Sequence, residues 1–334
     1  MVKTNISNAE AKRHRHDVDM LVVLCTLCLM PIYLYGLSAL WLILTAIVTA
    51  VVTEYICLRI RGVKRFEKGD FSYLITALIT ALLLPASAPL WAAAVAVAFG
   101  LCIAKHPFGG RGGNIFNPAA AGVAFVTICW PELLTKYPIP FSEVNGTFSY
   151  GTSPASTLRV GGTPKAELFD VLLGKFAGPM GATFMIVIAA CLLFLLLRKT
   201  ACLRVIFPAV LVVGVFAVFF PRLTTGRFNS LEFEFASGAL VFGLTFMVSD
   251  PATLPDKKGG QIVYGFLVGI FAVILRRFGA YDVEIVYALL LANALSSSCD
   301  RYADLFVRMY GRLKELLCRH PSYPKQEKAG DADA

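Results

Sequence analysis

The sequence predicts an all-α integral membrane protein with about ten transmembrane helices in two inverted repeats, several of them short or broken. Three observations carry this. The 334-residue chain is 57% hydrophobic and only 16% charged, with a mean hydropathy of +0.68, against roughly 25% charged residues in soluble domains. Its apolar residues gather into ten runs separated by polar connections. Its 31 Lys and Arg fall between those runs with a strong bias to alternate connections, the pattern that orients a chain in a bilayer. The net charge of +9 is therefore topological, and nucleic acid is not an expected partner.

Residues 1–19 are polar, carry Lys3, Lys12, Arg13 and Arg15, and read as a cytoplasmic tail with a disordered start. The first membrane half, residues 20–130, holds runs at 20–37, 40–58, 72–85, 89–104 and 118–130. A polar extracytoplasmic segment, 131–178, follows. The second half, 179–298, holds runs at 179–197, 205–220, 235–248, 262–278 and 284–298, and residues 299–334 form a cytoplasmic C-terminal tail. A helix needs about 20 apolar residues to cross the hydrocarbon core. The third, fifth and eighth runs are shorter and flanked by Pro, Gly or Asn, which predicts partial helices packed inside the bundle. The third (LITALITALLLPASAPLW) and the eighth (GALVFGLTFMVSDPATLP) are both rich in small residues and end in a Pro-containing turn. They cross in opposite directions, as an inverted repeat requires.

Counting Lys and Arg orients the chain. With both termini inside, 23 lie on the cytoplasmic side and 8 outside, which places 131–178 outside. Arg276 and Arg277 fall on the outer side at a helix end, where long side chains are expected to reach the interface. Among nine Cys, the one close pair, Cys25 and Cys28, lies mid-span without a second pair or a flanking His. It reads as structural, and no metal site is predicted.

Three motifs carry potential chemistry. The stretch KHPFGGRGGNIFNPAAAG contains Gly109, Gly110, Gly112 and Gly113 followed by Asn114 and Asn117. Such a loop either exposes backbone N–H groups to a flat ligand or anion, or simply turns one helix into the next. It is neither a P-loop nor a dinucleotide fingerprint, because no Gly-Lys-Ser/Thr ends it and no strand precedes it. In FMVSDPATLPDKKGGQIVYG, Asp250 ends the eighth run, either as a helix cap or as a carboxylate near an ion path. The run GTSPASTL offers the hydroxyls of Ser153, Ser156 and Thr157 in the outer segment, as an ordinary solvated loop or as an extended, reachable substrate for a modifying enzyme.

In order, these motifs together with GPMGATF, IVYGFLVGIFAVILRRFGAY and ALLLANALSSSCDRY resemble the RnfD/NqrB family over about residues 17–300. That family supplies membrane subunits of ion-pumping ferredoxin:NAD and NADH:quinone oxidoreductases. The resemblance implies a urea-transporter-like inverted-repeat fold in the bacterial cytoplasmic membrane. It implies FMN joined by a phosphoester bond to the hydroxyl of Ser156, with Thr157 as the alternative, installed by a flavin transferase. Arg159 is placed by sequence to offset the phosphodiester charge. A second, non-covalent flavin such as riboflavin would lie near the glycine loop, and Asp250 near the path of Na⁺ or H⁺. The chain would not be catalytic alone: other Rnf-type subunits would supply iron–sulfur and nicotinamide chemistry. Two other readings stay open, a small-solute channel of the same architecture and a flavin-bearing subunit of a different membrane electron-transfer chain.

Overall fold

In the computed structural model the described residues are 2–63, 69–143, 147–164, 168–223 and 226–318. Helix α1, Val2–Ile60, is broken at Gly36, whose φ of 59° and ψ of −138° suit glycine alone. Its two limbs return to the same end of the molecule, since Arg13 abuts Gly112 and Arg61 abuts Gly110. Of the polar segment expected as an N-terminal tail, residues 2–19 form the first turns of this helix. Asp17 and Asp19 are buried there because Arg111 and Arg198 meet them at 2.6 and 3.0 Å.

Helices α2 (Ser72–Leu83), α3 (Leu90–Phe99) and α4 (Pro118–Cys129) complete the first half. Helix α3 runs on through a π-helical turn, Gly100–Lys105, and a 3₁₀ turn, His106–Phe108. Helix α4 starts cleanly because Asn117 accepts a hydrogen bond from the Ala120 N–H at 3.1 Å and Pro118 fills the first helical position. The outer segment contributes α5 (Pro131–Leu134), a two-residue antiparallel pairing of β1 (Tyr137–Pro138) with β2 (Tyr150–Gly151), α6 (Pro154–Arg159) and α7 (Leu168–Leu172). The second half comprises α8 (Met185–Leu197), α9 (Leu203–Phe219), α10 (Arg227–Ala236), α11 (Leu240–Phe246), α12 (Lys258–Phe278) and α13 (Glu284–Cys318). Residues 319–334 of the expected C-terminal tail lie outside the described residues.

Arg13–Ile60, Leu90–Phe108 and Lys258–Phe278 are long and apolar enough to cross a membrane. Large apolar side chains such as Leu29, Trp41, Phe207 and Phe278 point outward, as a lipid-facing surface requires. The short runs are short helices: α2 and α4 have 12 residues each and α11 has 7. They lie largely inside the protein, where an interrupted backbone finds partners. The run at 179–197 becomes helical only at Met185. Before it, the N–H groups of Met180 and Gly181 donate to the carbonyls of Leu84 and Leu82 at 3.1 and 2.7 Å, where α2 has unwound. The run at 235–248 is split by Ser237 and Gly238, the latter at φ 71°. It is preceded by α10, whose alternation of Phe with charged residues kept it outside the apolar runs. Gly122 against the Ala96 carbonyl and Gly265 against the Val205 carbonyl leave no room for a Cβ, so α3/α4 and α9/α12 pack at backbone distance.

The motifs fall at two opposite ends. Asp17, the glycine loop and Asp250 share one end, and α6 meets the α12–α13 turn at the other. A reporter active only outside the cytoplasm is therefore expected to work when fused within residues 143–151 and to fail at Lys257. The opposite pattern of reporter activity would reverse the assignment of both ends.

Candidate functional sites at the two ends

At the inner end, the first limb of α1, α2, the glycine loop, the start of α4 and the residues after α11 enclose a cavity of about 80 Å³. Arg13, His16, Asp17, Lys105, Arg111, Asn114, Asn117 and Asp250 line it. The glycine loop and Asp250, read separately from the sequence, are thus brought together. Beside them lies a buried ionic cluster. The π-turn delivers Lys105 into the core, where its Nζ lies 2.9 Å from Glu54 Oε1 and 3.7 Å from Asp70 Oδ2. His106 Nε2 stands 3.0 Å from Glu54 Oε2, and Arg111 joins Asp17 to Asp70 at 2.6 and 3.5 Å. Burial alone would raise the Asp70 carboxyl. The Lys105 ammonium and hydrogen bonds from the Ser72 backbone and hydroxyl outweigh it and hold the group below the usual carboxylate range.

The glycine loop is a turn rather than a cradle. Gly109, Gly110 and Gly112 have φ of 112°, 85° and 77°. The N–H groups of Gly109, Gly110 and Gly113 donate back to the carbonyls of His106, Lys105 and Gly110. A Cβ on Gly110 or Gly112 would meet the guanidinium groups of Arg61 or Arg13, and one on Gly113 the Phe108 carbonyl. Asn114 donates to the Phe116 carbonyl at 3.1 Å, and Asn117 caps α4. The expected second, non-covalent flavin does not fit this arrangement. Organic ligand sites enclose roughly 300–1,000 Å³, the cavity is far smaller, and arginine side chains hold the space over Gly110 and Gly112. A small ion or water matches its size. Asp250 Oδ1 accepts the Ala252 N–H at 3.0 Å, so the carboxylate turns the chain after α11 and also faces the cavity.

At the outer end, GTSPASTL is not extended. Ser153 caps the six-residue helix α6, its Oγ accepting the Ser156 N–H at 3.0 Å. The Ser156 and Thr157 hydroxyls, both half-buried, donate to the same Ser153 carbonyl at 2.8 and 2.9 Å. The helix is tied to the second membrane half by Asp282, which accepts from the Ser153 hydroxyl and from Arg159 Nη2, the latter at 2.5 Å. Arg159 Nη1 donates to the Ala280 carbonyl. Arg159 is thus engaged by Asp282 rather than waiting for a phosphate. Its Nε, however, is buried without a partner among the described residues. That spare donor, three residues from Ser156, fits a phosphodiester placed there.

A second buried ionic cluster stands beside this outer site. Arg276 does not reach toward the interface, as its place at a helix end predicted. Its Nε and Nη1 meet Glu234 and Glu284 at 2.6 and 2.5 Å, and its Nη2 donates to the Ser237 carbonyl and hydroxyl at 2.7 and 2.8 Å. Arg222 joins the other oxygen of Glu234 at 3.0 Å. Two carboxylates neutralise Arg276, which removes its conflict with the orientation set by the loop charges. Lys105 in the first half and Arg276 in the second therefore occupy matching places, a buried cation between two carboxylates at the end of the long helix preceding α4 or α13. They lie at opposite ends of the molecule. Sequence reading missed Glu54, Lys105, Asp282 and Arg276 as site residues. The available signal was ionisable residues within or ending apolar runs, which need partners at that depth.

Helices long and apolar enough to cross a membrane, short internal helices and polar constellations at both ends define an all-α membrane protein. The chain belongs to the NQR2, RnfD, RnfE family, whose profile matches residues 5–306. It is 30% identical to the D subunit of the proton-translocating ferredoxin:NAD(+) oxidoreductase complex of Clostridium ljungdahlii, over 91% of this chain and 96% of the relative. It is 28% identical to the D subunit of the Na(+)-translocating ferredoxin:NAD(+) oxidoreductase complex of Acetobacterium woodii, over 92% and 96%. With the D subunit of the ion-translocating oxidoreductase complex of Alcanivorax borkumensis it shares 28% identity over 83% and 86%.

Proposed function

We propose that this chain is the D-type membrane subunit of an ion-translocating ferredoxin:NAD oxidoreductase complex, carrying FMN covalently on its outer face at Ser156 and coupling electron transfer to Na⁺ or H⁺ movement. Family membership over most of the chain supports the class. The geometric observation that carries the coupling is that one helix meets both ends. Asp282, at the head of α13, anchors the hydroxyl-bearing helix through Ser153 and Arg159. Further along α13, Ser296 donates to the Thr253 carbonyl at 3.0 Å, and Asp300 accepts the N–H groups of Asp256 and Lys257 at 3.1 Å. A displacement of α13 at the outer site is therefore felt by the segment that follows Asp250.

Bound FMN supplies one- and two-electron redox chemistry. The protein's own part is to present the Ser156 hydroxyl to a flavin transferase, to fix α6 through Asp282, and to offer Arg159 Nε to the phosphate. At the inner end, the carboxylates of Asp17 and Asp250 face a cavity of ionic size. Iron–sulfur and nicotinamide chemistry falls to partner subunits, and both termini lie in the cytoplasm of a bacterial cell. In-gel flavin fluorescence of the denatured protein, co-expressed with its transferase, tests the assignment. A fluorescent band at the size of this chain is the expected result, and a dark band would favour a solute channel of the same architecture.

Asp250→Asn preserves shape and most of the turn-forming capacity but removes the charge. The expected outcome is electron transfer that continues while ion accumulation in proteoliposomes falls. Full coupling in this variant would leave Asp250 as a turn residue only.

A further inference from the structure

The inner end carries a second, wider cavity that neither the flavin nor the ion assignment uses. It encloses about 830 Å³ between the first limb of α1, the α8–α9 turn and the segment 249–261. Arg13, His16 and Pro251 border both this cavity and the small inner one, so the two are neighbours. Four exposed cations line it: Arg13 and Arg15 on α1, Lys199 in the turn after α8, and Arg204 in the first turn of α9. None of the four has a carboxylate within ion-pairing distance among the described residues, whereas neighbouring Arg198 is matched by Asp19 at 3.0 Å. The one carboxylate lining the cavity belongs to Asp256. Like charges gathered without counter-charge repel one another, and a bound anion relieves that. Apolar Leu203 and Leu254 complete the wall, and Leu203 continues onto the lipid-facing side of α9.

Lys199 adds an independent observation. It sits just past the end of α8 with φ 58°, one of two non-glycine residues with positive φ among those described. The N–H groups of Thr200 and Lys199 close back on the carbonyls of Leu195 and Leu196 at 2.9 and 3.0 Å, a helix stop in which glycine is the favoured residue. A lysine held there at conformational expense is one of the residues that line the cavity.

We propose that this cavity binds the phosphate of an anionic phospholipid, with Arg13, Arg15, Lys199 and Arg204 as its ligands and the Leu203–Leu254 wall against the glycerol and upper acyl chain. The combination of clustered cations with apolar surface at the cytoplasmic end favours a lipid over a soluble phosphate.

The test uses the whole 334-residue chain in detergent, with native mass spectrometry after exchange into phosphatidylglycerol or phosphatidylcholine of matched chain length. Retention of phosphatidylglycerol over phosphatidylcholine is expected. Each neutralised cation should weaken binding about fivefold, so that Arg15→Gln/Lys199→Gln/Arg204→Gln loses it almost entirely. Lys136→Gln, the same change at the outer end, should bind as wild type does. Lys199→Gly separates ligand from scaffold: it relaxes the backbone, so thermal stability should hold or rise while lipid retention falls. Wild-type retention in Lys199→Gly or in the triple variant would overturn the proposal, as would equal retention of the two lipids. Displacement of the lipid by millimolar inorganic phosphate would make a soluble anion the ligand. Loss of lipid on assembly with partner subunits would show that the cations face an acidic protein. Either result also sinks the lipid assignment.

Discussion

Ser156→Ala, co-expressed with the flavin transferase, is expected to carry no FMN on the peptide spanning residues 151–159, while Thr157→Ala carries it at the wild-type level. The two hydroxyls are close competitors in geometry, since both donate to the Ser153 carbonyl and both are half-buried. What separates them is the Ala155-Ser156 step of the family-like element. Forming the ester consumes the hydroxyl proton, so whichever residue is modified gives up its hydrogen bond to Ser153. Because α6 is short and held at both ends by Asp282, losing one such bond leaves the helix in place. Peptide mass spectrometry reads the outcome directly. An FMN mass increment that survives in Ser156→Ala and vanishes in Thr157→Ala moves the attachment by one residue.

The second large effect is on stability. Arg276→Met is expected to destabilise the protein by about 3–5 kcal/mol, the usual consequence of removing one partner from a buried ionic group. Arg276 is 5% exposed, Glu234 4% and Glu284 2%; Glu234 keeps Arg222, but Glu284 is left with no cation among the described residues and little water to turn to. The arginine also satisfies the Ser237 carbonyl and hydroxyl, and both bonds go with it. Thermal unfolding in detergent measures the loss. Adding Glu284→Gln should restore part of it, because the carboxylate left without a partner becomes neutral while Glu234 keeps Arg222 at 3.0 Å. A single Arg276→Met variant that melts with the wild type would mean that water reaches this cluster.

Much of the membrane architecture was legible because apolar run length and loop charge report directly on the bilayer. The short third, fifth and eighth runs became α2, α4 and α11 for the predicted reason, burial within the protein. The outer segment was legible as polar but not as folded. GTSPASTL has no periodicity, and its conformation is set by Asp282, more than a hundred residues away. The glycine loop read ambiguously for a physical reason. Glycines that present N–H groups to a ligand and glycines that turn a chain look alike in sequence, and only the hydrogen bonds to His106, Lys105 and Gly110 separate them. The helical, docked part of residues 1–19 was not legible because Asp17 and Asp19 are answered by Arg111 and Arg198, far along the chain.

The two buried clusters have a consequence for how the protein is made. Glu54, Asp70 and Lys105 all lie within the first 105 residues, and Glu234, Arg276 and Glu284 within a later stretch of about fifty. Each set of charges is neutralised by its own half. As the chain leaves the ribosome and enters the membrane, the first half can compensate its ions before the second has been synthesised. It need not wait with bare charges in hydrocarbon, where each would be costly. Of the contacts described above, the links that must form last are those that cross between halves. They include Arg198 with Asp19 and the turn at Met180–Gly181 with the end of α2. Late assembly of this protein is thus the docking of two electrically settled halves, and defects at Asp19 should appear as failed docking rather than as failed insertion.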